Sequence, residues 1–264
     1  MKLNLVTARA GTGWVREGLR TFFRQPLAFT SLFFFFMAVV SIASQIPFIG
    51  GMLTLMLLPT MTLALMAATA QAAGPHKLPA GSVFLAAMRA VRADARPLAV
   101  LGGIYALCFV VILAISAIAD GGEFTKVYLL GAPLTAEVAE TTAFQLAVWI
   151  SMALYLPLSL AFWHAPALVH WYHVPPVKSI FFSFVACLRN IGALTLFGIA
   201  WLGVFIGVGI GISLVAGVLI AAGSMGSGSA VTIVGNALMV GGALVMAAMF
   251  FSSIWFSFRD SFTD

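Results

Sequence analysis

A polytopic bundle of membrane-spanning helices is the fold class this sequence predicts, and three observations predict it. Apolar residues make up 62% of the chain and charged residues 8%, where soluble domains carry roughly 25% charge. Mean hydropathy is +1.10. Uncharged stretches reach the ~20 residues that a helix needs to cross a ~30 Å hydrocarbon core, and six of them occur. Strands of an outer-membrane barrel would alternate polar and apolar residues over roughly ten positions, which excludes that architecture here.

The first two stretches, 26–47 and 48–73, are joined by a tight turn at "QIPFIGG". The third covers 97–119 and the fourth about 143–172. The fifth covers about 191–222 and the sixth about 230–258. The last three exceed a perpendicular crossing, so tilt, kinks or projecting ends are expected. Pro59 in the second and Pro157 and Pro166 in the fourth are the expected kinks.

Three further segments pattern as amphipathic helices on the membrane surface. In "GWVREGLRTFFRQ", Trp14, Val15, Leu19, Phe22 and Phe23 share a face, while Arg16, Arg20 and Arg24 recur every four positions. In "SVFLAAMRAVRADARPL", Val83, Phe84, Ala87 and Val91 make the apolar side and Arg89, Arg92 and Arg96 carry charge. In "VKSIFFSFVACLRN", Ile180, Phe181, Phe184, Val185 and Leu188 do the same and Arg189 closes the segment. Each runs into an odd-numbered span, so the chain reads as one domain, 1–264, of three copies of surface helix plus hairpin. The repeat units are about 10–73, 80–172 and 175–258. The apolar faces are expected to lie on the bilayer, with the seven arginines among anionic headgroups.

Twelve basic residues fall on the side of the termini and Lys126 alone on the other, beside Asp120, Glu123, Glu137 and Glu140. The positive-inside rule then puts both termini in the cytoplasm, and the net charge of +5 reports topology rather than a nucleic-acid partner. A cleaved signal peptide ending near "SIAS" is the rival reading of the start. The basic region before the apolar run is about 26 residues long and patterned, which fits a retained first helix.

The quoted "GWVREGLRTFFRQPL", "FWHAPALVHW", "FFSFVACLRN" and the closing "SFRDSF" resemble an uncharacterised bacterial family of six-helix inner-membrane proteins. That family is similar to the membrane domain fused to some glycerophosphodiester phosphodiesterases. The resemblance covers essentially the whole chain and implies the fold, with no catalytic residue to carry over.

Chemistry is sparse. "AFWHAPALVHWYH" offers His164, His170 and His173, but zinc wants three or four ligands and supporting carboxylates. The acids are placed across the membrane from the histidines, which also removes a Ser-His-acid triad. Trp163, Trp171, Tyr172, Pro175 and Pro176 read as a helix leaving the bilayer. No cofactor is expected. Gly203, Gly207 and Gly211 repeat every four residues in the fifth span, a flat strip for another helix. It faces either the fourth or sixth helix of this chain or a second protein, and Gly235, Gly241 and Gly242 answer it in the sixth span. Cys108 and Cys187 are not expected to pair.

The resulting expectation is a non-catalytic, multi-pass bacterial inner-membrane protein. Its partners are membrane lipids with anionic headgroups and another membrane protein or itself. The alternative is a small-molecule or lipid transporter in which Pro59, Pro157 and Asn236 line a shared polar cavity.

Overall fold

Proline and glycine punctuate the chain where the sequence places them, and helices fill the rest. The computed structural model describes residues 1–74, 79–221 and 228–263, with the side chains at 80, 216, 219–221, 228–234 and 236 outside that description. His76 and Lys77 and the side chain of Asn236 therefore lie outside the described residues. In order, the elements are β1 (Lys2–Leu3), α1 (Ala10–Arg24), α2 (Pro26–Ser44), α3 (Gly50–Ala72), α4 (Ala80–Ala93), α5 (Ala95–Asp120) and α6 (Glu123–Leu130). They continue with α7 (Ala136–Ala139), α8 (Thr142–Trp163), α9 (Ala165–Tyr172), α10 (Pro176–Arg189), α11 (Ile191–Ala221), α12 (Gly228–Ser261) and β2 (Phe262–Thr263).

The breaks have local causes. Pro26 opens α2 at a first helical position, where no amide hydrogen is missed. Phe48 turns the α2–α3 hairpin at a φ of 65°. Gly121 and Gly122, both at positive φ, end α5 and start α6. The Thr141 hydroxyl accepts the Phe144 amide at 3.2 Å to cap α8. His173 closes α9 in the left-handed region, and α10 begins at Pro176.

Six helical segments are long and apolar enough to cross a bilayer, so the protein is a helical membrane protein. Three local features add to this pattern. The fourth span is two helices, α8 and α9, broken at His164. The segment 120–142 between the third and fourth spans holds α6 and α7, because Asp120 accepts the amides of Gly122 and Phe124 and a new helix starts at once. The termini pair as an antiparallel ribbon, Lys2 with Thr263 and Leu3 with Phe262, which no helical pattern signals.

The chain divides into two compact units whose borders cut across the three expected repeats: Met1–Phe35, Leu65–Ala87 and Asn190–Asp264 in one, Phe36–Ala64 and Met88–Arg189 in the other. In the first, α1 packs on both α11 and α12 more extensively than those two pack on each other. Gly11 and Gly18 make this possible. A Cβ at Gly11 would run into the Ala193 carbonyl of α11, and one at Gly18 into Ser253 of α12. Trp14, Val15 and Phe22 are buried, with the Trp14 ring on Phe197 at 6.2 Å. The apolar side of α1 thus faces protein, correcting the expectation that it lies on lipid; Phe23 is 66% exposed.

In the second unit α5 packs along α8, and α10 against α8 and α9. Gly102 of α5 crosses the Met56 backbone of α3 too closely for any side chain. Leu113, Phe124, Phe144 and Ala147 form a core beneath α6. The face of α10 that is buried carries Ser179, Ser183, Ala186 and Cys187, while Phe181 and Leu188 are exposed.

Candidate functional site

Polar side chains gather in two clusters, one in each unit. In the first unit they tie the termini together. Asn190, buried where α10 gives way to α11, accepts the Val6 amide at 3.0 Å through Oδ1. Its Nδ2 donates to the Asn4 carbonyl at 3.1 Å and to Ser261 Oγ at 3.3 Å. Trp14 Nε1 donates to Asp260 Oδ2 at 2.9 Å. Arg259 grips Glu17 with both Nη atoms, at 2.9 and 3.4 Å, and its guanidinium lies 5.0 Å from the Phe256 ring. A bidentate, ring-stacked arginine is held more firmly than a lone surface pair. The residues come from three of the quoted motifs, "GWVREG", "CLRN" and "SFRDSF", which meet in one place.

The second cluster lies at the break of the fourth span. Ser183 of α10 accepts the His164 amide at 2.9 Å and donates to the Leu160 carbonyl at 2.9 Å. His164 and Leu160 are i and i−4, so the hydroxyl stands where the helical bond between them would be. A side chain in the ladder is a recognised cause of a helix break, and membrane helices use Ser in this way to satisfy freed backbone groups. Pro166 follows within the first turn of α9. His164 itself is 1% exposed. One turn along α10, burial pushes the Cys187 thiol up to about 12, with a hydrogen bond to Ser183 opposing it.

Beside this break, His170 Nδ1 and Asp94 Oδ2 stand 2.6 Å apart. Asp94 occupies the N-cap of α5, yet its side chain makes no cap bond. The expectation that no acid lies near the histidines is therefore wrong. Asp94 sits inside the basic run "VRADARPL" and was hidden by the arginines around it. Asp260 and Glu17 likewise lie beside arginines in the sequence. Among the described residues no three His, Cys, Asp or Glu side chains form a group fit for a metal ion. His170 is engaged by Asp94, and His173 is exposed at the end of α9.

The remaining expected residues are dispersed. Arg16, Arg20, Arg24, Arg89, Arg92, Arg96 and Arg189 are all exposed. Arg24 reaches the Gly74 carbonyl at 3.5 Å. Gly203, Gly207 and Gly211 are exposed as well, and a Cβ at any of them meets nothing within 4 Å. Among the described residues nothing packs on that strip within 4 Å, whereas Gly11 and Gly18 of α1 are the glycines that meet α11 and α12 closely. Pro59 and Pro157 lie inside the continuous helices α3 and α8; only at Pro166 is a helix interrupted. Thr62, Thr69 and Ser116 return their hydroxyls to carbonyls of their own helices.

Six helices of bilayer length among the described residues define a multi-pass membrane protein. Over 266 aligned positions the chain is 36% identical to a probable inner membrane protein of Burkholderia thailandensis, covering 99% of this chain and 94% of that one. The chain belongs to that family of inner-membrane proteins. No family model matches it, and no solved structure does.

Proposed function

We propose that the protein is a non-catalytic accessory or assembly subunit of the bacterial inner membrane, binding anionic lipid at its cytoplasmic surface and another membrane protein along α11. The observation that supports it is the open strip of Gly203, Gly207 and Gly211. Small residues every four positions let a helix approach closely, and here nothing within 4 Å fills the space. The flanking Ile206 and Ile210 are exposed too. Both termini are cytoplasmic on this reading, with the arginine sides of α1, α4 and α10 turned to that surface in a threefold plan. The seven exposed arginines would add about 1 kcal/mol each at an anionic surface.

The test is site-directed crosslinking in native membranes from cysteines at 203, 207 and 211 in a cysteine-free background. A discrete adduct from these positions, lost on Gly207→Trp, supports the reading. No adduct above that from Leu146 on α8 refutes it. A second reading, a lipid or small-molecule transporter, draws on the break at His164, since interrupted helices line many transport sites. Substrate flux in reconstituted vesicles that falls on Ser183→Ala would favour it.

A further inference from the structure

We propose that the turn between α2 and α3 is a lipid anchor, with Phe48 inserted at the boundary of headgroups and hydrocarbon in the leaflet away from the termini. Depth places it there. α2 runs from Pro26 to Ser44, which at 1.5 Å per residue is about 28 Å, and the hydrocarbon core is ~30 Å thick. Arg24 stands two residues before Pro26, and its charge holds that end of α2 among the headgroups. A helix of this length reaches the far boundary of the hydrocarbon and ends. The turn adds little height, because the chain doubles back at once: a Cβ at Gly50 would run into the Ser44 and Ala43 carbonyls.

The chemistry of the turn suits that depth. From Gln25 to His76 the sequence holds no Asp, Glu, Lys or Arg, and between Gln45 and Ile49 the glutamine is the one polar side chain. Backbone groups close on one another. The amides of Gln45, Ile46 and Ile49 donate to the carbonyls of Ile42, Ala43 and Pro47 at 3.2, 3.2 and 2.8 Å, and that of Gly50 to Ile46 at 2.9 Å. Pro47 has no amide hydrogen to place. Gln45 Nε2 donates to Ser44 Oγ at 3.4 Å, and Ser44 Oγ donates to the Ser41 carbonyl at 2.8 Å. A turn in water can leave such groups to the solvent, whereas the edge of the hydrocarbon requires them paired.

Phe48 stands in the left-handed region at a φ of 65°, which glycine adopts freely and a bulky residue only with strain. Its side chain is 105% exposed, so the chain itself gives the ring no burial in return. Lipid does. Ile42 of α2 and Ile46 and Ile49 of the turn are exposed as well, which carries the apolar surface of a membrane-crossing helix onto the turn. That continuity selects the occupant: the lipid that covers the wall of α2 also covers its end. The anchor stands apart from the glycine strip on α11, and its test is separate.

The test puts a nitroxide on Ile46→Cys in an otherwise cysteine-free full chain, in vesicles of phosphatidylethanolamine and phosphatidylglycerol. Collisions with oxygen, which concentrates in hydrocarbon, are compared with those of a nickel chelate, which stays in water. The same label on Val111→Cys of α5 and Glu137→Cys of α7, both exposed positions, gives the lipid and water references. Oxygen should prevail at 46 as at 111, and the chelate at 137. Phe48→Gly removes the ring while suiting the backbone, and should shift the ratio at 46 toward that at 137. Should Ile46→Cys fail to fold, Ile49→Cys carries the label. A ratio at 46 equal to that at 137 overturns the proposal by placing the turn in water. Few collisions of either kind overturn it too, by placing the turn against protein, a second copy included. A ratio unchanged by Phe48→Gly overturns the role of the ring.

Discussion

Gly11 and Gly13 lie two residues apart on α1 and make a controlled comparison. Replacing either with alanine gains helix propensity, up to about 1 kcal/mol. At Gly13 a Cβ meets nothing within 4 Å, so Gly13→Ala should be neutral or stabilising. At Gly11 the added carbon collides with the Ala193 carbonyl and stands 2.7 Å from the Phe197 amide nitrogen, both backbone atoms that no rotamer change can move. Restoring a contact of about 3.5 Å requires α1 and α11 to part by roughly 0.8 Å at the Phe197 nitrogen and by more at the closer Ala193 carbonyl. A gap of that order forfeits a quarter to a half of the dispersion well at each contact it opens. Trp14 and Phe22, 1% and 2% exposed, are the side chains that lose most. Overpacking of this kind costs about 1 to 3 kcal/mol; the helix term is common to both variants and cancels, so they should differ by about 1 to 3 kcal/mol. Reversible unfolding in mixed micelles, followed by tryptophan fluorescence, measures it. Gly11→Ala as stable as Gly13→Ala would refute this close packing, and Gly18→Ala should behave like Gly11→Ala.

Asn190→Ala removes three hydrogen bonds that hold the terminal ribbon; a loss of about 1 to 3 kcal/mol and faster proteolysis near residue 4 are expected, and unchanged digestion would count against the clasp. Ser183→Ala should destabilise by about 1 to 3 kcal/mol, with Ser183→Thr milder because the hydroxyl returns; equal losses would show that the hydroxyl is not what matters. Burial holds the Cys187 thiol at about 12, above the ordinary 9.0, so the folded chain keeps a proton that the unfolded chain releases. Its contribution is intact below pH 9 and declines from there to about 12. At pH 8 in a Cys108→Ala background, maleimide should label the folded protein at least about a hundredfold more slowly than the unfolded one, and fast native labelling would contradict the burial. Arg20→Glu with Arg24→Glu should weaken insertion or orientation if these side chains meet anionic headgroups, and reporter fusions showing unaltered topology would argue against that contact.

Much of the candidate site was written in the chain but in a form that charge counting conceals. Asp94 and Asp260 are each flanked by arginine, so a tally of sides absorbs them into basic segments. Their partners, His170 and Trp14, lie 76 and 246 residues away, beyond any local pattern. Gly11, Trp14, Val15, Gly18 and Phe22 do form a helical stripe at i, i+3, i+4, i+7 and i+11, a readable signal for a close-packed face. The arginine stripe on the opposite side carries the pattern of a helix lying on lipid. The reverse holds for Gly203, Gly207 and Gly211, whose spacing is legible while their partner is not.

The sequence by itself determined that this chain crosses a membrane in six helices, because apolar length and the placement of charge act locally and leave the backbone no other way to satisfy its hydrogen bonds. It also placed the breaks at Pro26 and Pro176. Tertiary structure alone decided which glycines meet a neighbour, that a serine from α10 completes the broken ladder at His164, and that the two ends of the chain close on Asn190. Those outcomes depend on which helix lies beside which, and helical periodicity fixes a residue's face without naming what that face will touch.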